Sequence, residues 1–332
     1  MRPFIHALAA ALFFAAPAWS ECRGDDLFAK LPPAEQAALS AQAAAVPHGE
    51  GLVFRATRSG AKGAQDIVLA GTMHLPDARH DALMAELVPH LDRASTLLVE
   101  ATSEDEAKLK AAAGKDPSLL FITEGPTIPE LLPEADWQAL RQVLVARGMA
   151  PFIAAKMRPV FLAITLSVPP CALDAMGRGE GGLDKRLMAA AEARGLPVEA
   201  LEPWETVFSL FQGLSVQDNA DILRMLTREA IDAESQTITM ANRYFARSPR
   251  LIWEFALHRA RAQGLAEAEV ARQAAVSDEL LMAGRNRAWI PVLEAAAERG
   301  PVLAAFGALH LSGPEGVLAL LEQNGWAVTR LD

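Results

Sequence analysis

The pattern of hydrophobic and polar positions first predicts a buried strand that leads to a histidine. Residues 67–70 are all apolar, and they run through Gly71 to His74. A helix-like segment follows at 82–91, and a second apolar run comes after it at 97–99. Short apolar runs bounded by turn residues are typical of buried strands. This stretch therefore predicts a strand–turn–helix–strand unit.

The same order of elements recurs near the other end of the chain. The apolar run 302–306 leads through Gly307 to His310, and a helix-like segment then precedes a last apolar run from Trp326. Two strand–Gly-x-x-His–helix–strand units predict a duplicated or pseudo-symmetric site. We expect the glycine in each unit because a chain leaving a buried strand must turn sharply, which glycine does without strain.

The intervening sequence predicts how the two units are joined. Segments 51–57 and 66–70 have the pattern of a hairpin, and a short strand is expected at 196–201. From 204 to 299 the pattern is helical throughout, with four or five helices expected. We therefore predict an α/β fold whose central mixed sheet is built from two related halves. Helices flank this sheet, and the segment at about 204–299 is a large all-helical insertion between the halves.

Four polar side chains follow predicted strands. His74 and Glu100 follow two strands of the first unit, Glu202 follows the strand at 196–201, and His310 follows the last unit's first strand. If these strands are parallel neighbours, the four side chains converge at one edge of the sheet. Imidazole nitrogens and a carboxylate oxygen suit a divalent transition metal such as Zn, Mn or Co. A second carboxylate would then serve as general base or as an orienting group.

Each of these residues also has a structural interpretation. A single histidine after a strand is often a hydrogen-bonding group, and Glu100 is also placed to cap the next helix. Glu202 precedes Pro203, as a solvated turn residue would. Arg285 and Asn286 lie where 284–287 interrupts an apolar periodic stretch, and they also suit a salt-bridge and capping pair.

The amino terminus has the pattern of a secretory signal peptide. Arg2 supplies a positive charge, residues 8–16 form an apolar core too short to span a bilayer, and small residues precede Glu21. We predict cleavage after a signal at 1–20, which leaves 21–332 as a single domain without a membrane span. The mature protein is expected to be periplasmic or secreted.

The chain has two cysteines, Cys22 and Cys171. In an oxidising compartment, two thiols most simply form one disulfide. The alternative is a cysteine that acts as a metal ligand or nucleophile, although neither residue has a Cys-x-x-Cys partner or a neighbouring histidine.

Charge and composition narrow the class of partner. The formal net charge is −10, with no run of lysine and arginine, which argues against nucleic-acid binding. The chain has one tyrosine, so stacking on single-stranded nucleic acid or sugars is not expected. A Walker loop is not present. A peptide or small-molecule substrate is the expected partner.

Several motifs together carry a resemblance to a known family. They lie at 69–74, 97–100, 182–184, 201–202, 285–286 and 306–313. In content and order they resemble the TraB/PrgY/GumN family, in its GumN-like branch, over nearly the whole mature chain. That family is similar to the Tiki metalloproteases and, more remotely, to erythromycin esterases and a group of haem-binding lipoproteins.

The resemblance implies both a fold and an activity. It implies two related α/β halves and a metal-dependent hydrolase, with His74, Glu100 and His310 as the metal ligands. Arg285 and Asn286 match a further motif of the family and are candidate catalytic residues with Glu100 and Glu202. We therefore expect an exported hydrolase acting on peptide bonds. The alternative is a non-catalytic periplasmic binding protein for haem or a peptide, with a link to exopolysaccharide production suggested by the GumN name.

Overall fold

The computed structural model describes residues 22–60, 63–209 and 214–332, and within them six strands form one mixed sheet. The strands are β1 (Val53–Gly60), β2 (Gly63–Thr72), β3 (Thr96–Val99), β4 (Val198–Ala200), β5 (Val302–Gly307) and β6 (Ala327–Arg330). Their order across the sheet is β4-β3-β5-β2-β1-β6. The first four of these are parallel neighbours, whereas β1 runs antiparallel to both β2 and β6. The predicted α/β fold with a mixed sheet is confirmed.

Helices cover both faces and the rim of this sheet. They are α1 (Pro33–Ala45), α2 (His80–Leu91), α3 (Ser103–Lys115), α4 (Ile128–Leu131), α5 (Glu134–Ala146), α6 (Pro151–Ala154), α7 (Pro159–Ser167), α8 (Pro170–Gly177), α9 (Leu183–Glu192), α10 (Thr206–Ser209), α11 (Val216–Ile231), α12 (Ala233–Phe245), α13 (Pro249–Ala262), α14 (Glu267–Asp278), α15 (Gly284–Ala297) and α16 (Val317–Gln323). The predicted hairpin is formed by β1 and β2, which pair from Val53 opposite Ala70 to Gly60 opposite Gly63.

The parallel strands are buried on both faces. Because side chains alternate along a strand, Leu303 and Ala305 of β5 pack in one core cluster with α2 and α9. Ala304 and Phe306 pack in the other cluster, with α15 and α16. A strand covered on both sides must be apolar at successive positions, which explains the continuous apolar runs in the sequence.

The two predicted units cross over the sheet in opposite directions. From β2, the chain passes through α2 to β3, which lies on the far side of β5. From β5, it passes through α16 to β6, at the opposite edge. Accordingly, α2 and α16 contribute to core clusters on opposite faces. The neighbours β2 and β5 thus form a topological switch point, where open α/β sheets leave a crevice at the strands' carboxyl ends.

The described residues of the interval 204–299 form helices and connecting turns but no strand, as predicted. They include six α-helices, α10 to α15, rather than four or five. The number is larger than expected partly because it includes α10, a single helical turn too short to be recognised from the apolar pattern. Another reason is that Arg247 adopts a left-handed conformation (φ 59°) just before Pro249 starts α13, which separates α12 from α13.

Residues 284–287, which interrupt the apolar pattern of the sequence, lie within a continuous helical segment. A π-helical turn, Glu279–Ala283, joins α14 to α15, and the residues at both junctions keep right-handed helical angles. A π turn inserts an extra residue without breaking the helix, so the apolar period shifts but does not stop. Such turns often accompany functional sites, and this one directly precedes Arg285 and Asn286.

The predicted disulfide between Cys22 and Cys171 is confirmed. It ties the segment before α1 to α8, which belongs to a group of helices remote in sequence from both Gly-x-x-His units. The predicted signal at 1–20 lies outside the described residues and stays a prediction. In the described part of the chain, no single helix is long and apolar enough to cross a membrane, although α7 and α8 together, bent by 85°, meet that length and composition.

Candidate functional site

The four parallel strands bring the predicted residues to one edge of the sheet. His74 lies just after β2, Glu100 directly after β3, and Glu202 just after β4. His310 ends a short 3-10 turn that follows β5. These strands are hydrogen-bonded neighbours and parallel, so their carboxyl ends meet at the switch point. The predicted convergence of the strand ends is therefore observed.

Glu100 is a nearly buried carboxylate whose two oxygens are both bound. Its side chain is 18% exposed, and Oε1 accepts a hydrogen bond from the backbone N–H of Gly307 at 2.6 Å. Oε2 accepts one from Nη2 of Arg285, also at 2.6 Å. Burial acts to raise the pKa of Glu100, but the facing charges of His310, His74 and Arg285 lower it to about 2. Glu100 is thus a carboxylate at any ordinary pH.

Glu202 binds the other side of the same guanidinium. Nε of Arg285 donates to Glu202 Oε2 at 3.0 Å, and Nη2 donates to Oε1 at 2.6 Å. The indole N–H of Trp289 also donates to Glu202 Oε2, at 3.0 Å, and the guanidinium lies 4.8 Å from the Trp289 ring centroid. Both oxygens of Glu202 are thus held by donors, and its carboxylate fixes the position of the Arg285 guanidinium.

His310 is buried, with 3% exposure, and its tautomer is fixed by its neighbours. Its Nε2 lies 3.3 Å from Arg285 Nη1, and its Nδ1 lies 2.6 Å from Asn286 Oδ1. Arginine can only donate, so Nε2 accepts and the ring proton sits on Nδ1. The Asn286 amide is held in turn by the backbone oxygen of Glu315 at 2.8 Å. Burial lowers the pKa of His310 to about 4, against the opposing charge of Glu100.

His74 has the opposite surroundings. Its side chain is 59% exposed, at the open side of the crevice. Nδ1 lies 3.4 Å from Asp184 Oδ2, and Nε2 lies 3.8 Å from Glu100 Oε1. The surrounding protein atoms act to lower the pKa of His74, but the hydrogen bond to Asp184 and the charge of Glu100 raise it to about 9. Asp184 comes this close because α9 begins after Gly182, where a Cβ would stand 2.1 Å from the backbone oxygen of Met73.

The two glycines of the motif are needed for space, which corrects the expectation that they make sharp turns that only glycine makes without strain. Neither has a positive φ, and Gly307 has φ −49° and ψ 130°, which any residue can adopt. A Cβ on Gly71 would stand 2.6 Å from Leu311 Cδ1 and 2.9 Å from Ala308 Cβ. The first glycine therefore allows the two halves to pack against each other.

The second glycine leaves room at the site itself. A Cβ on Gly307 would stand 3.2 Å from Glu100 Oε1, 3.5 Å from His310 Cδ2 and 3.6 Å from His74 Nε2. The three predicted metal ligands thus surround one small space, to which the two halves contribute one histidine each. Both histidines thus lie beside the same glycine.

The chemistry of this donor set fits a divalent transition metal. Both histidines have Nδ1 next to a side-chain oxygen, of Asp184 and Asn286, as metal-binding histidines usually do. In the described residues, no group of three or more His, Cys, Asp or Glu side chains is already spaced to hold a metal ion. The Arg285 guanidinium contacts both Glu100 and His310 instead.

Two side chains of this site were not predicted from the sequence as site residues. Asp184 lies in the 182–184 motif, so its acidic character beside two glycines was the available signal. Trp289 lies one helical turn after Arg285, and this spacing places both side chains on one face of α15. The packing against Glu202, however, is visible only in the structure.

The fold and site define a class of α/β protein in which two Gly-x-x-His units meet a buried Glu–Arg–Glu cluster at a switch point. A family model described as TraB/PrgY/gumN family matches residues 52–330, and the chain belongs to this family. The predicted family is therefore confirmed, while the GumN-like branch and the relation to Tiki metalloproteases stay predictions. No curated protein and no solved structure matches the chain.

Proposed function

We propose that this protein is an exported metal-dependent hydrolase that cleaves peptide bonds. The ion, a divalent transition metal such as Mn, Co or Zn, would be held by His74, Glu100 and His310. One observation supports this most directly. Each histidine has its Nδ1 against a side-chain oxygen, and both rings lie beside the space that Gly307 leaves open, where Nε2 of His310 would exchange its contact with Arg285 for the ion. The metal would supply Lewis-acid chemistry, polarising the carbonyl to be attacked.

The protein's own residues prepare this site. Asn286 keeps the proton of His310 on Nδ1, so that Nε2 presents a lone pair. Asp184 orients the ring of His74, and the Gly307 N–H fixes one oxygen of Glu100. These contacts orient the ligands, while Arg285 would have to move away from Glu100 and His310 for an ion to bind. Orienting groups typically affect metal affinity about 10–100-fold.

Arg285 and Glu202 act as positioning residues in this proposal. The Arg285 side chain donates to Glu100, Glu202 and the backbone oxygen of Leu281, so its N–H groups are largely engaged. Glu202 has both oxygens bound, and it keeps the guanidinium against Glu100. Both oxygens of Glu100 are bound as well, so neither glutamate has a free oxygen that could act as general base.

Export and substrate class rest on further observations. The signal pattern at 1–20 and a disulfide between Cys22 and Cys171 both suit an oxidising compartment such as the periplasm or the exterior. His74 opens to solvent, so an extended chain can reach the site. The peptide substrate follows from the resemblance to metalloproteases stated above.

The first experiment measures metal and cleavage together. Protein purified without a histidine tag is analysed for metal content and visible absorbance, then incubated with a peptide library and Mn, Co or Zn in turn. The proposal predicts about one bound ion per chain and cleavage with at least one metal. A parent protein without metal affinity that is inert with all three metals would refute it. A Soret band would favour the haem-binding alternative.

Variants then separate ligands from positioning residues. His74→Ala and His310→Ala should each lose most of the bound metal and the cleavage activity. His258→Ala is the matched control, because His258 lies on α13 beside Glu35 and should change neither. Glu202→Gln should keep the fold and weaken metal binding about 10–100-fold. If Glu202→Gln instead keeps full metal affinity and loses about 10²–10⁴-fold in rate, Glu202 is the general base.

A further inference from the structure

A separate cavity is lined in part by Asn286, the residue that contacts Nδ1 of His310. It has a volume of about 280 Å³ and opens between α13, α14, the π turn and the loop at 312–316. The charged, polar and apolar side chains that line it and are used below are those of Arg250, Trp253, Asp278, Met282, Ser312 and Pro314. Its volume is just below the roughly 300–1,000 Å³ typical of pockets for drug-sized ligands, so it suits a smaller molecule.

Two opposite charges face this cavity without pairing with each other. Asp278 forms no hydrogen bond or ion pair within the described residues, and burial raises its pKa although the charge of Arg250 opposes this. The Arg250 guanidinium bonds Glu254 through Nε at 2.8 Å. Its Nη1 lies 3.8 Å from the point where a Cβ on Gly313 would stand, and is free of any protein hydrogen bond in the described residues. A carboxylate and a guanidinium edge are thus both available to a ligand.

The other charges nearby are already paired. Arg287 binds both Glu279 and Glu315, at 2.5 and 2.7 Å. Asp278 is therefore the carboxylate of this region left for a cationic group. A ligand that brings a cation to Asp278 and an anion to Arg250 would satisfy both without adding net charge to the cavity.

A buried hydroxyl and an apolar wall complete the arrangement. Ser312 is 6% exposed, and its Oγ has no hydrogen-bond partner in the described residues. A buried polar atom without a partner is costly, so a ligand that hydrogen-bonds it gains affinity. Trp253, Met282 and Pro314 supply apolar surface on the same cavity.

We propose that this cavity binds a free α-amino acid with an apolar side chain. Its ammonium group would bind Asp278 and the Ser312 hydroxyl, and its carboxylate would bind the Nη edge of Arg250. The side chain would pack against Trp253 and Met282.

This site goes beyond the proposed hydrolase activity and does not depend on it. The two sites are nevertheless adjacent, because Asn286 lines the cavity and also accepts the hydrogen bond from His310 Nδ1. An amino acid in the cavity would sit one side chain away from a candidate metal ligand.

The test is calorimetric titration of the full mature protein with three matched ligands. They are L-leucine, 3-methylbutylamine, which is leucine without its carboxylate, and 4-methylpentanoate, which is leucine without its ammonium group. The proposal predicts that leucine binds and that each single-charge analogue binds about 10–100-fold more weakly, since a charge-assisted hydrogen bond is lost. Leucine that does not bind at millimolar concentration, or analogues that bind as well as leucine, would overturn it.

Variants locate the binding. Asp278→Asn and Ser312→Ala should each weaken leucine binding by about tenfold or more. Asp174→Asn, at an exposed aspartate on α8, is the matched control and should leave affinity unchanged. Asp278 has no partner to lose, so its variant should melt at the parent's temperature. Leucine binding that is the same in parent, Asp278→Asn and Ser312→Ala would place the ligand elsewhere and refute the proposal.

Discussion

The two Gly-x-x-His units share one spacing, yet their histidines have opposite surroundings. His74 is 59% exposed, faces the carboxylate of Asp184, and has a pKa raised to about 9. His310 is buried, faces the amide of Asn286, and has a pKa lowered to about 4. Paired groups whose surroundings push their pKa values apart are typical of acid–base sites. The repeated motif thus determines the position of each histidine at a strand end, and the neighbouring residues determine its pKa.

The two glycines differ in the same way. Gly71 faces side chains of the second unit, so it allows the halves to pack. Gly307 faces Glu100 and both histidines, so it shapes the site. The equivalent glycines therefore have different roles. The glycine of the first unit allows close packing, and the glycine of the second leaves space between the candidate ligands.

The largest expected effect comes from removing the cation that joins the two units. Arg285→Met would leave Glu100 and Glu202 close together, nearly buried and without their shared partner. We expect a loss of about 3–5 kcal/mol in the free energy of unfolding, measured by urea denaturation at neutral pH. Arg287→Met is the control, since Arg287 is 46% exposed, and it should change stability much less than Arg285→Met. Equal losses in the two variants would contradict a special role for Arg285.

Removal of the disulfide tests whether the stability of the fold can change without changing the pKa values of the two histidines. Cys22→Ser combined with Cys171→Ser opens a loop with a sequence separation of 149. The chain-entropy model gives a loss of about 5 kcal/mol, and measured losses are typically about 2–4 kcal/mol. We expect lower stability with unchanged pKa values for both histidines. Two free thiols per chain in denatured, unreduced parent protein would show that the bond does not form.

Alanine at the two glycines should have different effects, mainly on stability in one case and mainly on metal binding in the other. Gly71→Ala should cost about 1–3 kcal/mol of stability, because the new methyl group meets Leu311 and Ala308 in the core. Gly307→Ala should cost about 1 kcal/mol or less but reduce metal binding, since its methyl group enters the space between the ligands. Thermal unfolding measures the stability of both variants, and metal titration measures their affinity for the ion. A Gly307→Ala protein with normal metal affinity would contradict the placement of the ion.

The smallest expected effect is on proton affinity. In metal-free protein, Asp184→Asn should lower the pKa of His74 towards its ordinary value of 6.5, because the negative charge beside Nδ1 is lost. The pKa of His310 should stay near 4, since Asp184 does not contact it. NMR titration of the imidazole nitrogens measures both values. If the pKa of His74 in the parent protein is near 6.5, the predicted rise in its pKa is wrong.

The same pKa values fix the sign of the pH dependence. The raised pKa of His74 stabilises the metal-free protein fully below pH 6.5, and this contribution is lost as the pH rises towards 9. The lowered pKa of His310 acts the other way, because stability is lost as the pH falls from 6.5 towards 4. Stability should therefore be greatest near neutral pH, and Asp184→Asn should weaken only the alkaline decline.

The sequence by itself determined the elements that local patterns encode. Continuous apolar runs identified β2, β3 and β5, because strands covered on both faces leave no polar positions. Strand ends identified His74, Glu100, Glu202 and His310 as neighbours, since parallel strands present their carboxyl ends at one edge. The disulfide followed from there being two cysteines and a signal pattern.

Only the tertiary structure decided how those residues interact. That β5 lies between β2 and β3 depends on pairings remote in sequence, which no local pattern records. The π turn leaves the helix unbroken before Arg285, and the reach of Arg285 to both glutamates depends on packing across the sheet. Burial and neighbouring charges give the two histidines opposite pKa shifts, because both depend on what lies nearby in space rather than along the chain.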